Sequence, residues 1–223
     1  MEVKLTFTVN EYIYLKDPES TVLGQQIINQ AIAIIYEIGF ENFTIKKLAI
    51  NIGSTEATIY RYFASKHKLL LYIINWYWSY MVYLIDYNTQ NLTDNKTKLL
   101  TIIKLLTSKN TNTPITINYN LNYLYQIIIA ESSKVYLVKD VNEINKNEVF
   151  KSYKDLCRYI ANIISAYDSS YKYPKTLSST IIETSHFQQF FSEHLPRLTD
   201  VPKKTTPNFV ASFIEDMVFK ILK

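Results

Sequence analysis

The sequence predicts an all-α protein, and three observations support this fold class. The chain of 223 residues contains only 3 glycines and 6 prolines, and so few chain-breaking residues favour long helices over a loop-rich β-sandwich or barrel. Apolar residues recur along much of the chain with the period of a helix. Hydrophobic residues make up 48% and charged residues 20% of the chain, which is a globular composition at a length that can bury a core.

Several features indicate which compartment and which class of protein to expect. No uninterrupted apolar segment reaches the roughly 18 residues of a membrane span, and the N-terminus lacks the basic and apolar regions of a secretory signal. The single cysteine, Cys157, cannot form an internal disulfide, which fits a reducing environment. We therefore expect a cytoplasmic protein without a membrane partner.

The first elements can be placed from local signals. Apolar residues alternate over residues 3–9 and hint at a short extended arm. Asp17, Pro18 and Glu19 are a helix start signal, since Asp can cap, Pro suits the first helical position and acid suits the first turn. The helical apolar period that follows predicts a helix over residues 18–38. Gly39 then supplies a residue that can adopt positive φ where the helix ends.

Two short helices and the start of a long one follow. Thr44 can cap a helix whose apolar face recurs at helical spacing over residues 45–52. Gly53 and the serine after it break that helix. Thr55 can cap a third helix that runs through residue 62, and Ser65 can cap a fourth, long helix.

The remainder of the chain reads as further helices joined by short loops. The fourth helix ends in the polar stretch 89–95, and the period then predicts helices at about 96–108, 117–137, 141–169, 176–195 and 207–222. The total is about nine helices. The chain divides into an N-terminal arm (1–20), a three-helix domain (21–65) and a larger helical body (66–223).

The three-helix domain matches the helix-turn-helix pattern, in which a longer helix precedes two short helices joined by a glycine turn. Residues 44–68 carry five basic residues and one acidic residue, so this domain holds a basic island. The second short helix must present small or polar side chains to base edges, and hydroxyl and basic groups around it should bind phosphates. The candidates for bases are Thr55, Glu56, Ala57 and Thr58, and those for phosphates are Thr44, Lys46, Lys47, Tyr60, Tyr62 and Lys66.

A more detailed pattern lies in the same segment. The pattern consists of the following residues, in this order along the chain: Gly39, Thr44, Leu48-Ala49, Gly53, Thr58-Ile59-Tyr60, Phe63, Ser65-Lys66 and Leu69. Over about residues 25–70 this pattern resembles the N-terminal domain of the TetR family of bacterial transcription regulators. The resemblance implies that Thr44, Tyr60, Tyr62 and Lys66 contact the DNA backbone, with Thr55–Thr58 and Arg61 near bases.

The resemblance also implies a function for the helical body. It implies a homodimer that binds a palindromic operator on double-stranded DNA, acts as a repressor and is released by a small-molecule effector. Aromatic and polar residues are the candidates for the effector site: Trp76, Tyr80, Tyr123, Tyr153 and His186. An apolar stripe on the terminal helix is the candidate dimer interface: Val210, Phe213, Ile214, Met217 and Ile221. An effector that shifts the fourth helix would change the separation of the two DNA-binding domains.

Two other classes stay open as alternatives. A helical-bundle metal enzyme would use Glu183-x-x-His186, but the second such motif that these sites need is missing. Cys157 sits mid-helix between Leu156 and Arg158, a position that fits a buried small residue better than an activated thiol. Three glycines cannot build a phosphate-binding loop. We therefore predict no catalytic residue, no metal and no cofactor. The third class is a helical interaction module that has lost DNA binding.

Overall fold

The computed structural model describes residues 7–108, 117–200 and 208–222, and there the chain forms eleven α-helices and no β-strand. The predicted all-α fold class is confirmed. The helices are α1 (Val22–Asn42), α2 (Ile45–Asn51), α3 (Glu56–Tyr60), α4 (Lys66–Thr89), α5 (Asn95–Thr107), α6 (Leu121–Glu131), α7 (Ser133–Tyr136), α8 (Val141–Ile144), α9 (Lys151–Tyr167), α10 (Pro174–His194) and α11 (Phe209–Ile221).

The chain folds into two compact units that do not follow chain order. The first unit comprises Met1–Tyr80 and Asn110–Ser152, and the second comprises Met81–Lys109 and Tyr153–Lys223. In the first unit, α1 packs along α6, which explains why a segment distant in sequence joins the N-terminal helices. In the second unit, α5, α10 and α11 pack on one another.

The first helix begins later than predicted. Asp17 caps a 3-10 turn, Pro18–Ser20, by accepting the amide hydrogen of Glu19 at 2.9 Å. Thr21 is the N-cap of α1, because its hydroxyl oxygen accepts the amide hydrogen of Gly24 at 3.0 Å. The Asp-Pro signal was therefore interpreted correctly as a start, but it starts the 3-10 turn and not the helix.

The end of the first helix coincides with the predicted glycine. Gly39 has φ 74° and ψ 158°, which interrupts the helical conformation inside α1. A β-carbon is strained at such a φ, so this position requires glycine. The residues after it make one more turn and lead into α2.

The predicted caps of the next three helices are confirmed. The Thr44 hydroxyl oxygen accepts the amide hydrogen of Lys47 at 3.1 Å, and that of Thr55 accepts from Thr58 at 3.3 Å. The Ser65 hydroxyl oxygen accepts the amide hydrogen of Lys68 at 3.2 Å. Each such cap stabilises its helix by about 1 kcal/mol.

Two predicted helices are broken in the structure. The segment 117–137 contains α6 and the short α7, and the segment 141–169 contains α8, a 3-10 turn and α9. Glu148, at φ 53°, adopts the left-handed conformation between that turn and α9. The polar residues 145–147 interrupt the apolar period at this point, which is why a single long helix was the wrong interpretation.

The N-terminal segment packs against the first unit where it is described. Residues 11–13 form a 3-10 turn, and Val9 and Ile13 are buried. The amide of Leu15 donates to the carbonyl oxygen of Tyr62 at 2.7 Å. Residues 1–6, which hold part of the alternating apolar pattern, lie outside the described residues.

Candidate nucleic-acid interface

The two short helices are joined by a tight turn over a shared apolar core. Ile45, Leu48 and Ala49 of α2 and Ile59 of α3 are buried. Gly53 has φ 63° and a β-carbon there would meet no atom within 4 Å, so the backbone conformation and not space requires glycine. The α2–α3 pair thus has the helix-turn-helix connection that the sequence predicts.

Eight of the eleven residues predicted to contact DNA are exposed on α2, α3 and their caps. We call these eight residues the α2–α3 surface: Thr44, Lys46, Lys47, Thr55, Glu56, Ala57, Tyr60 and Arg61. A ninth, Thr58, is half-buried, and its hydroxyl lies 2.9 Å from that of Thr55. The structure therefore brings the predicted base-reading and phosphate-binding residues together, with two exceptions.

The α2–α3 surface carries positive charge that acidic side chains do not neutralise. Lys47 donates to the carbonyl oxygen of Asn42 at 2.9 Å, a neutral partner. Lys46 and Arg61 form no ion pair within the described part of the chain. Glu56 lies in the first turn of α3, where its charge is favourable to the helix dipole. Such a surface suits a polyanion.

Tyr62, the first exception, is a core residue. Its side chain is 4% exposed, and its hydroxyl lies 2.8 Å from that of Thr21. Because residues three apart share one side of a helical turn, Tyr62 faces inward with Ile59, while Tyr60 faces outward. The predicted phosphate contact of Tyr62 is therefore not available in this structure.

Lys66, the second exception, binds the chain itself. Its ammonium donates to the carbonyl oxygens of Phe40 at 3.2 Å, Glu41 at 3.4 Å and Phe43 at 3.2 Å. It also lies 4.7 Å from the centroid of the Phe40 ring. A lysine at a helix N-terminus needs a negative partner elsewhere, and here the partner is the carbonyl cluster after α1. Lys66 thus holds the segment 39–43, which we call the 39–43 turn.

Sequence reasoning missed the residue that holds the same turn from the other side. Glu131, at the end of α6, is 7% exposed and accepts the amide hydrogen of Phe40 at 3.0 Å. Lys134 pairs with Glu131 at 2.6 Å and with Glu41 at 3.1 Å. Its hydrogen bond lowers the pKa of the Glu41 carboxyl. A buried acid closing an otherwise apolar helix is the signal that could have identified Glu131.

The five candidate effector residues do not lie in one unit. Trp76, Tyr80 and Tyr123 belong to the first unit, and Tyr153 and His186 belong to the second. The rings of Trp76 and Tyr80 stack at 6.0 Å, and Tyr123 stacks on Tyr36 at 4.0 Å. Within the first unit, these contacts place Trp76 and Tyr80 in one aromatic cluster and Tyr123 against α1.

Burial governs the protonation of two of the groups considered for catalysis. The hydroxyl of Tyr153 donates to Glu183 at 2.5 Å. Burial lowers the pKa of His186 to about 4, which keeps its ring neutral at pH 7, and burial raises the pKa of Cys157 to about 11. Within the described residues, no three His, Cys, Asp or Glu side chains are placed to hold a metal ion. Over the same residues, no helix has the length and hydropathy to cross a membrane.

The predicted dimer stripe on α11 is divided between two environments. Val210 and Ile214 are buried within the second unit, where α11 packs on α5 and α10. Phe213 and Ile221 are 39% and 41% exposed, and Met217 is half-buried. Val210 and Ile214 are not available for an interface in this structure, because their side of the stripe packs into the core of the second unit.

Comparisons with known proteins agree with this geometry. The fold and the α2–α3 pair define an all-helical protein with an N-terminal helix-turn-helix domain. Residues 27–73 match the sequence profile of the family described as bacterial regulatory proteins, tetR family. The helix-turn-helix is therefore that of the TetR family, and the predicted resemblance is confirmed. No curated protein is detectably similar to the chain in sequence.

Solved structures resemble nearly the whole chain. The superantigen PfiT has a TM-score of 0.60 at 13% identity, over 93% of this chain and 99% of that one. A TetR transcriptional regulator from Legionella pneumophila has a TM-score of 0.58 at 15% identity, over 89% of this chain and 96% of that one. AibR in complex with isovaleryl coenzyme A and operator DNA has a TM-score of 0.55 at 15% identity, over 89% of this chain and 98% of that one. At these identities the likeness concerns the fold.

Proposed function

We propose that the chain is a ligand-responsive transcription repressor that binds an operator in double-stranded DNA. The observation that carries this proposal is the α2–α3 surface, with eight exposed residues of the predicted chemistry and cations that no acid neutralises. AibR, whose fold is similar, was solved on operator DNA with an acyl coenzyme A. The effector of this chain is a small molecule that the fold alone does not identify.

The contacts with DNA follow from which side chains are exposed. The first turn of α3, residues 55–58, would enter the major groove, where small and polar side chains reach base edges. Thr44, Lys46 and Lys47 would bind phosphates on one side, and Tyr60 on the other. Arg61 would reach a guanine edge or a phosphate. Tyr62 is left out of the interface because it is buried in the core, and Lys66 is left out because it binds the 39–43 turn.

We propose a homodimer that pairs α10 and α11 of two copies. Phe187 and Leu195 of the α10 region and Phe213 and Ile221 of α11 are exposed apolar side chains of the second unit. Two copies related by a two-fold axis would cover these residues and place two reading helices about one DNA turn, roughly 34–36 Å, apart. A palindromic operator would match that symmetry.

Effector release would act through α4. Lys66, its first residue, binds the 39–43 turn that leads directly into α2. A shift of α4 would therefore move α2 and change the separation of the two DNA-binding domains. The effector can drive this change only by the difference in its affinity for the two arrangements. This function requires no catalytic residue, metal or cofactor and belongs in the cytoplasm.

The alternatives predict different observations. A metal enzyme would need further ligands beside Glu183 and His186, and within the described residues no three His, Cys, Asp or Glu side chains are placed to hold a metal ion. A helical interaction module would fail to bind duplex DNA at any salt concentration. The open, basic α2–α3 surface favours DNA binding over that module.

The test is the salt dependence of DNA binding. We expect the protein to select a palindromic sequence from random duplexes, and log Kobs to fall linearly with log salt. Replacing both Lys46→Ala and Lys47→Ala removes four phosphate contacts from the proposed dimer, two in each copy. It should flatten that slope by about 3–4 and weaken binding to all sequences alike, since each phosphate contact contributes about 0.9. Fluorescence anisotropy at several salt concentrations measures both quantities.

The matched control replaces two exposed lysines of the second unit, Lys172→Ala and Lys175→Ala. This variant has the same net charge as the first, and its slope should equal that of the native protein. Equal slopes for the native protein and the Lys46 and Lys47 variant would contradict the assigned phosphate contacts. Absence of any duplex binding would contradict the proposed function.

The proposed dimer makes a separate prediction. Phe213→Lys places a charge on the exposed face of α11, so we expect a monomer where the native protein is a dimer. Light scattering coupled to size-exclusion chromatography measures the mass. Leu137→Lys, at an exposed residue of the first unit, is the control and should stay dimeric. A native monomer, or a Phe213→Lys dimer, would refute the α10–α11 interface.

A further inference from the structure

A second site lies in the first unit, away from the α2–α3 surface. It is a cavity of about 290 Å³ between the N-terminal segment and α4. Three aromatic rings line it, those of Phe7, Tyr14 and Tyr72, together with the carboxylates of Asp17 and Glu19. We propose that this cavity binds an organic cation, such as a quaternary ammonium group. The two carboxylates would neutralise its charge, and the rings would contact its methyl groups.

The carboxylates of Asp17 and Glu19 give the cavity a negative charge that is not compensated. Within the described residues, neither Asp17 nor Glu19 forms an ion pair. Burial raises the pKa of Tyr72, and the charge of Glu19 raises it further. Burial likewise raises the pKa of Tyr14, and Asp17 adds to that rise. Both phenols therefore experience the same negative potential, which a cation in the cavity would relieve.

The aromatic rings of Phe7, Tyr14 and Tyr72 form a wall of the cavity. The rings of Tyr14 and Tyr72 meet edge to face at 6.0 Å. The ring of Phe7 meets those of Trp76 and Tyr80 at 5.2 and 6.0 Å, so the cavity wall continues into a larger aromatic cluster. Rings attract cations through their negative faces, and aromatic cages with nearby carboxylates recognise quaternary ammonium groups. Phe7 alone, or the acids alone, would not define a ligand.

The carboxylates are held in place, which favours a preformed site. Glu19 accepts a short hydrogen bond from the hydroxyl of Tyr119, and Asp17 accepts the amide hydrogen of Glu19 at 2.9 Å. A metal ion fits this cavity less well, because the hard cations need about six oxygen ligands and half of this lining is aromatic or aliphatic. A cation with apolar groups matches both the acids and the rings.

The experiment compares two probes that differ only in charge. Choline and 3,3-dimethylbutan-1-ol have nearly the same shape, and both dissolve in water. Ligand-observed NMR titration of the full chain, without DNA, measures both affinities. We expect saturable choline binding at least tenfold tighter than binding of the neutral alcohol. Equal affinities, or no saturable binding of choline, would overturn the proposal.

Variants locate the site. Glu19→Gln keeps an acceptor for Tyr119 and Asp17→Asn keeps a cap for the turn, so we expect both to fold, with choline affinity lowered at least fivefold. Glu37→Gln removes an exposed acid of the first unit that does not line the cavity and should bind choline as the native protein does. If circular dichroism shows that Glu19→Gln is unfolded, the choline affinity of Asp17→Asn tests the site instead. Unchanged affinity in the folded variants would refute the site, while leaving the DNA-binding proposal untouched.

Discussion

Glu131→Ala is expected to destabilise the protein by about 2–4 kcal/mol, the range for breaking a buried charge network. The substitution leaves the amide of Phe40 without its acceptor at 3.0 Å and removes the closer of the two carboxylates that pair with Lys134, the one at 2.6 Å. Both losses fall on the 39–43 turn, which leads into α2. Urea unfolding followed by circular dichroism measures the free energy of unfolding.

Two further variants separate the contributions at Glu131. Glu131→Gln keeps an oxygen for the Phe40 amide and loses only the charge, so its cost should be about half of that of alanine. Glu143→Ala removes an exposed acid that pairs with exposed Lys146 and should change stability by less than about 0.5 kcal/mol. Equal stability of Glu131→Ala and the native protein would show that Lys66 alone holds the turn.

The turn also shows what the sequence could predict. The caps at Thr44, Thr55 and Ser65 and the break at Gly39 were predictable, because each depends on residues within four positions along the chain. Residues 27–73 carry enough of these local signals to match the profile of the tetR-family regulatory proteins. The contacts of Lys66 and Glu131 join segments 23 and 91 residues apart. No local rule indicates such partners.

Where prediction failed, packing was the reason. Tyr62 and Ile214 have the chemistry expected at an interface, but the fold turns both inward. The stripe on α11 has two sides, and the sequence does not indicate which side faces α5 and α10. Consecutive turns form the α2–α3 surface, so local signals placed its exposed residues together, whereas the inner side of α11 depends on packing between segments that are distant in sequence.

Arg61 provides the most direct test of sequence-specific recognition. It follows α3 directly, is exposed, and forms no ion pair within the described residues. We expect Arg61→Ala to weaken binding to the selected operator by about 30-fold or more, since each copy of the proposed dimer would lose a bidentate contact to guanine that contributes about 1–3 kcal/mol. The free energy of unfolding should change by less than about 0.5 kcal/mol, because no folded contact of the side chain is lost.

Arg61→Lys distinguishes a base contact from a phosphate contact. Lysine keeps the charge but cannot form the planar bidentate pair, so a base contact predicts nearly the same loss as alanine, together with relaxed preference at one operator position. A phosphate contact predicts that lysine restores binding. Arg197→Ala, at an exposed arginine of the second unit, should bind the operator as the native protein does. If Arg61→Ala binds as tightly as the native protein, specificity must come from residues 55–58 alone.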